Sequence, residues 1–220
     1  IIAERLRKKP HLVLGLATGR TMVPLYQRLV EMHKQENLDF SLAVTFNLDE
    51  YVGLDSSHPQ SYHYYMHHHL FNHVNIPAGN IHIPSGNAAD MAAFCREYDQ
   101  KIAAAGGIDL QILGIGVNGH IGFNEPGESL SVGTHLIELS RETIEANSRF
   151  FASAEEVPRQ AVTMGMGSIM KARRILLLAS GKNKARAIQE TVCGRVTPRV
   201  PASFLQLHRR AILIIDREAA

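Results

Sequence analysis

Apolar residues along this chain follow two alternating patterns. Short unbroken runs at residues 12–16, 42–48, 109–114, 175–179 and 211–215 read as strands, with 136–139 as a further short one. Between them, apolar positions recur every third or fourth residue. That spacing predicts helices over 23–33, about 61–71, 88–105, 161–171 and 184–192, and a polar helix from Arg141 leading into 148–157. Asp90 is a natural cap for the helix at 88–105, and Gly106-Gly107 a natural stop. Residues 75–87 hold Pro77, Gly79, Pro84 and Gly86 and read as an irregular connection. The opening Ile-Ile-Ala-Glu-Arg-Leu-Arg resembles the interior of an amphipathic helix and lacks Met, so further residues are expected upstream.

Strands alternating with helices predict an α/β fold: a Rossmann-like, mostly parallel sheet flanked by helices, in one domain spanning 1–220. No internal repeat, low-complexity tract or linker breaks it. In such sheets ligands bind beyond the carboxyl ends of the strands. The loops after Leu16, Leu48, Leu113 and Ala179 are therefore expected to meet in one crevice.

Composition narrows the class. The 220 residues are 45% hydrophobic and 20% charged, which suits a globular chain able to bury a sizeable core. A net charge of +2 demands neither a nucleic-acid partner nor an acidic membrane. Two cysteines, Cys95 and Cys193, both in helical patterns, argue against a secreted disulfide scaffold and for a reducing, cytoplasmic setting. No apolar run approaches the roughly 20 residues of a membrane span, and no signal peptide is visible.

The loops carry the chemistry. Gly114-Ile-Gly-Val-Asn-Gly-His-Ile-Gly-Phe-Asn-Glu-Pro126 crowds glycines around His120, with Asn118, Asn124 and Glu125 in the same turn. Such a strand end lets backbone approach a ligand, and a histidine there can move protons near neutral pH. The blander reading is an imidazole bonded to backbone. Asp49 and Glu50 close an apolar strand where acids have no packing role, so one is either a general base at the crevice or a cap or ion-pair partner. Gly15-Leu-Ala-Thr-Gly-Arg-Thr21 joins a strand to a helix and can offer N–H groups to an anion, although it is neither a P-loop nor a dinucleotide fingerprint. Ser180-Gly-Lys-Asn-Lys184 repeats the arrangement. The cluster His63, His67, His68 and His69 lacks a metalloprotease pattern and reads as an exposed helix face rather than a metal site.

With these residues in view, the chain resembles the glucosamine-6-phosphate deaminase (isomerase) family. The likeness rests on Thr45-Phe-Asn-Leu-Asp-Glu-Tyr-Val-Gly-Leu54 with His58-Pro59 and Ser61-Tyr62, and on Gly116-Val-Asn-Gly-His-Ile-Gly-Phe-Asn-Glu-Pro126. Asn147-Ser-Arg-Phe-Phe151 and Leu205-Gln-Leu-His208 extend it, so that it covers about 12–216. The resemblance implies conversion of glucosamine 6-phosphate and water to fructose 6-phosphate and ammonia, with no metal or organic cofactor and a small amino-sugar phosphate as partner. It implies that His120 opens the sugar ring, that Glu125 and Asn118 support it, and that Asp49 moves the proton from C2 to C1. It implies substrate and phosphate contacts at Thr18, Gly19, Arg20, Thr21, Gly114, Arg149 and Lys184, and a mobile lid at about 136–162.

This chain departs from the family pattern in places. It has Asn118 where many members have Asp, and Arg20 and Met22 where many have Gly and Pro. His135 and Ile137 stand where allosteric hexameric members carry basic residues. Hyperbolic kinetics without activation by N-acetylglucosamine 6-phosphate are expected, in a monomer or an oligomer. The rivals are the galactosamine 6-phosphate enzyme of the same family, a lactonase in which His120 activates water, and a non-catalytic sugar-phosphate sensor.

Overall fold

A computed structural model describes residues 1–148, 151 and 153–220. The elements run α1 (Ile2–Lys8), β1 (Val13–Leu16), α2 (Val23–Glu36), β2 (Val44–Asn47), β3 (Asp49–Tyr51), α3 (Tyr62–His69), β4 (Ile81–His82), α4 (Met91–Ala104), β5 (Leu110–Leu113), β6 (His135–Glu138), α5 (Arg141–Ser148), β7 (Gln160–Thr163), α6 (Met166–Met170), β8 (Ile175–Ala179), α7 (Ala185–Cys193) and β9 (Ala211–Ile215). Six strands form a parallel sheet in the order β4-β2-β1-β5-β8-β9. Every residue of β1 and β5 is buried, as expected of central parallel strands covered on both faces. The α/β reading and the parallel sheet hold.

From β1 the order runs through β2 and β4 to one side and through β5, β8 and β9 to the other. The reversal lies between β1 and β5, and a parallel sheet opens a crevice beyond the strand ends at such a point. The loops after these two strands are the first candidate anion loop and the glycine-rich turn.

The helix starts follow local chemistry. Ser61 caps α3 by accepting from Tyr64 N at 3.0 Å, and Asp90 caps α4 by accepting from Ala93 N at 2.9 Å. Cys95 is buried in α4 and Cys193, the last residue of α7, is exposed; both are free. Among the described residues no helix is long and apolar enough to cross a membrane.

Three expectations need correction. The run 161–171 is not one helix: Gln160–Thr163 is strand β7, and the helix begins only at Met166. Pairing with β3 on one edge and β6 on the other, in a second, three-stranded antiparallel sheet, takes the β7 backbone groups that a helix would use. The strand expected over 42–48 is also shorter, and the chain re-enters strand at Asp49–Tyr51 in that second sheet. Finally, the connection at 75–87 contributes an edge strand, β4, beside β2.

The second sheet has its own small core of Tyr51, Phe123, Leu139 and Ala161. Tyr62 stacks on Phe123 with ring centroids 6.0 Å apart, which ties α3 to the glycine-rich turn.

Candidate active site

The turn after β5 folds around the His120 ring. A Cβ on Gly116 would lie 2.4 Å from the His120 Cε1 and Nδ1 atoms, so only glycine leaves room for the imidazole. Gly122, at φ 60°, has a second reason: a Cβ there would sit 2.9 Å from Thr163 Oγ1 and 3.1 Å from Asp49 Oδ2. The same backbone that cradles His120 therefore passes directly over the Asp49 carboxylate. Asn124 fastens the turn, donating to Ile121 O and Met164 O at 2.9 Å each, and Phe123 N donates to Thr163 Oγ1 at 3.1 Å.

Asp49 is held at the crevice by the register of the second sheet, where it pairs with Thr163. It is only 5% exposed. Burial first, then the neighbouring Glu50 charge, push its carboxyl up to about 8. Glu50 has a different position. Its Oε1 accepts from Tyr51 N and Tyr62 N at 2.9 Å each, and its Oε2 from His63 N at 2.8 Å. Burial raises the Glu50 carboxyl although these three N–H groups pull the other way. Glu50 thus caps the start of α3, the bland alternative left open for this acidic pair, while Asp49 faces the turn.

His120 Nδ1 lies 3.4 Å from Glu125 Oε2, an ion-pair distance without hydrogen-bond alignment. Asn118 joins the two by its amide: Oδ1 accepts from His120 N at 3.2 Å and Nδ2 donates to Glu125 Oε2 at 3.0 Å. Asn118 therefore holds the His120 backbone and contacts the carboxylate that faces the imidazole ring. Burial works to raise the Glu125 carboxyl, but His120, the Thr143 hydroxyl and the Asn118 amide together hold it below the usual glutamate range.

Two matched loops flank this group. Gly19 (φ 106°, ψ 165°) leads into a 3-10 turn, Arg20–Met22, and then α2; Gly181 (φ 90°, ψ 149°) leads into Lys182–Lys184 and then α7. Thr21 Oγ1 and Ser180 Oγ meet at 3.5 Å, so the loops share one rim. Tyr65 on α3 donates its hydroxyl to Gly19 O at 2.8 Å and fixes the first loop. Helix starts on both sides favour an anion here. In the second loop the Gly181 N–H is already taken by the Asp216 carboxylate, at 3.0 and 3.1 Å to its two oxygens. Gly114 lies beside the first loop, where an added Cβ would find Met22 Cε at 3.6 Å. Thr18, Thr21 and Lys184 are half-buried, and Gly19 and Arg20 are exposed.

Asp49, Asn118, His120, Glu125, Thr18 to Thr21 and Gly114 are thus brought to one crevice, with Lys184 on the adjoining loop. Arg149 lies outside the described residues. The His63 and His67 rings stack at 4.5 Å along one side of α3. Among the described residues no group of three or more His, Cys, Asp and Glu is placed to hold a metal ion. Sequence reasoning missed Tyr65, Thr143 and Thr163, whose partners lie 18 to 46 residues away in the chain.

Residues 1–214 match the model of a family described as glucosamine-6-phosphate isomerases/6-phosphogluconolactonase. Curated glucosamine-6-phosphate deaminases from Thermoanaerobacter sp. and Halothermothrix orenii are each 60% identical over 220 residues, covering 100% of this chain and 87% and 91% of theirs. The solved structure of a monomeric glucosamine-6-phosphate deaminase aligns at TM-score 0.96 and 47% identity, over 99% of this chain and 90% of that one. A 6-phosphogluconolactonase from Trypanosoma brucei shares the fold at TM-score 0.78 and 20% identity, over 100% of this chain and 89% of that one.

Proposed function

Because this chain belongs to the family of glucosamine-6-phosphate isomerases and 6-phosphogluconolactonases, we propose that it converts glucosamine 6-phosphate and water to fructose 6-phosphate and ammonia. The observation that carries the reading is the close approach of two acid-base units: the buried Asp49 carboxylate lies under the glycine turn that holds His120 against Glu125. One base for a carbon acid beside one proton carrier is what an aldose-ketose isomerisation requires.

The steps follow from these positions. His120 passes a proton to the ring oxygen as the C1 hydroxyl loses its own, and the pyranose opens to the aldehyde. Glu125 stabilises the imidazolium form of His120. Asp49 takes the proton from C2, giving an enolamine, and returns it to C1. The resulting iminium at C2 adds water and expels ammonia, leaving the ketone. The loop at Thr18, Gly19, Arg20 and Thr21, with Gly114 and Lys184, receives the 6-phosphate; Arg149 is assigned to it by resemblance alone. The segment 136–162 is proposed as the lid that excludes water over the bound sugar.

An ammonia-release assay with glucosamine 6-phosphate, galactosamine 6-phosphate and their N-acetyl forms tests the reading. Ammonia is expected from glucosamine 6-phosphate and none from the N-acetyl forms; none from either free amine would sink it. Asp49→Asn separates the lactonase alternative, since ester hydrolysis by His120-activated water has no carbon acid to deprotonate.

Regulation is proposed to be absent. Ile137 brings no charge and packs against the Tyr51 and Phe123 cluster, and His135 Nδ1 lies 3.0 Å from Gly133 O. Rate curves should be hyperbolic, and a sigmoidal curve moved leftward by N-acetylglucosamine 6-phosphate would refute this. A cytoplasmic monomer is the proposed form, supported by the monomeric relative; sedimentation velocity checks it.

A further inference from the structure

Glu125 supports His120, and what fixes Glu125 comes partly from outside the glycine-rich turn. Its Oε2 faces Asn118 Nδ2 at 3.0 Å and His120 Nδ1 at 3.4 Å. Its Oε1 accepts from the hydroxyl of Thr143, a buried residue in the first turn of α5. A threonine so placed ordinarily spends its hydroxyl on its own helix, as a cap or on a carbonyl one turn back. Here the cap is already supplied: Ser140 Oγ accepts from Thr143 N at 3.1 Å. Ser140 Oγ also donates to Thr143 Oγ1 at 3.1 Å, which commits the Thr143 proton to Glu125. A chain of hydroxyls therefore runs from the start of α5 to the carboxylate beside His120.

We propose that Thr143 is a positioning residue for the ring-opening proton transfer: it holds Glu125 by Oε1 so that Oε2 stays turned to His120, and so ties the seating of α5 to the His120 proton relay. This rests on the deaminase reading and deepens it. A hydroxyl bound to a carboxylate is among the stronger hydrogen bonds and also fixes direction. With Oε1 unpartnered, the carboxylate can rotate away from the imidazole, and the imidazolium formed during ring opening loses its counter-charge.

Thr143→Val keeps the shape and removes the hydroxyl. Loss of one bond to a charged group corresponds to a fall in kcat for ammonia release of roughly ten- to hundredfold. KM should stay within about twofold, since the sugar still binds. Thr143→Ser should restore kcat to within about threefold, because the donor returns. The solvent deuterium isotope effect on kcat should grow in Thr143→Val as the proton transfer becomes limiting, while inhibition by acyclic 2-amino-2-deoxyglucitol 6-phosphate, which has no ring to open, should not change. If Thr143 served only folding, Thr143→Val would lower Tm and the active fraction but leave kcat per folded site and the isotope effect unaltered, and that result overturns the proposal. Should Thr143→Val fail to fold, Ser140→Ala reads the same chain: a several-fold smaller kcat with a larger isotope effect supports the proposal, and an unchanged kcat overturns it. Absence of ammonia with the wild-type protein would remove the reaction itself, whereas an active wild type matched by Thr143→Val would remove this role alone.

Discussion

Asp49→Asn should make the protein more stable and inactive together. The Asp49 carboxyl is raised from 3.8 to about 8 by burial and by Glu50, and among the described residues its oxygens have no hydrogen bond. The folded state thus holds this group neutral while the unfolded chain releases the proton. A folded pKa above the unfolded one gives stability that is intact below about pH 4 and is lost as pH rises toward 8. The loss amounts to about 1.4 kcal/mol per pH unit across that window, or roughly 4 kcal/mol by pH 7. Asparagine has nearly the same shape and never ionises, so the variant avoids this loss. Urea unfolding of both proteins at pH 4, 5, 6, 7 and 8 reads the difference. The two should be nearly equal at pH 4, with the variant ahead by an amount that grows with pH and levels off near pH 8. A gap that is the same at every pH, or a variant less stable at pH 8, would refute the argument. Ammonia release should vanish in the same protein, since the amide cannot take the C2 proton.

Other consequences follow from the same geometry. If Asp49 is the base, kcat/KM should rise with pH through an apparent value near 8, because the free enzyme must first release the Asp49 proton; a profile flat from pH 6 to 9 would count against it. Gly116→Ala should displace the His120 ring, since the new Cβ would stand 2.4 Å from it, and lower kcat by roughly a hundredfold or more; Gly79→Ala, whose Cβ would meet nothing within 4 Å, should stay within about threefold of wild type, and equal losses would show that the cradle is not what matters. Tyr65→Phe frees the Gly19 carbonyl and should raise KM for the phosphorylated substrate by about two- to tenfold, the value of one neutral hydrogen bond, with kcat nearly kept. Glu50→Ala leaves two N–H groups at the start of α3, those of Tyr62 and His63, and the Tyr51 N–H of β3 without their acceptor and should lower stability by roughly 2 to 4 kcal/mol in denaturant unfolding; a shift under about 0.5 kcal/mol would deny the capping role.

What could be read from the sequence divides along a physical line. Strands buried on both faces leave apolar runs, so β1, β5 and β8 stand out without a structure, while β9, an edge strand with Ile212 and Ile214 exposed, stands out by its apolar residues alone. Strand β3 does not, because its three residues are Asp49, Glu50 and Tyr51, selected for chemistry and capping rather than for a pattern. Strand β7 is hidden for another reason. The helical spacing continues across it, and only pairing with β3 and β6, both distant in sequence, decides in favour of strand. The backbone also blocks a continuous helix at Gly165, whose carbon packs so tightly on Gly133 that a Cβ would lie 2.2 Å from its carbonyl oxygen. The acid-base residues were legible because acids and a histidine at strand ends have no packing role. Their supports were not: Thr163, Tyr65 and Thr143 are ordinary residue types whose partners are set by tertiary structure.

The second sheet explains why these supports gather where they do. The parallel sheet alone delivers β1 and β5 to the crevice, which suffices for an anion loop and a glycine turn but leaves no seat for a base. Re-entry into strand at Asp49 supplies it, since pairing with Thr163 fixes the Asp49 backbone while the Thr163 hydroxyl holds Phe123 N of the turn. The third strand, β6, pairs with the far edge of β7 and is followed within two residues by Ser140, which starts α5 and sets Thr143 on Glu125. One three-stranded sheet therefore seats the Asp49 base and, through α5, the carboxylate partner of the His120 proton carrier. Disturbing β7 should then impair both proton transfers at once, whereas removing the Thr143 hydroxyl should impair only the one that opens the ring.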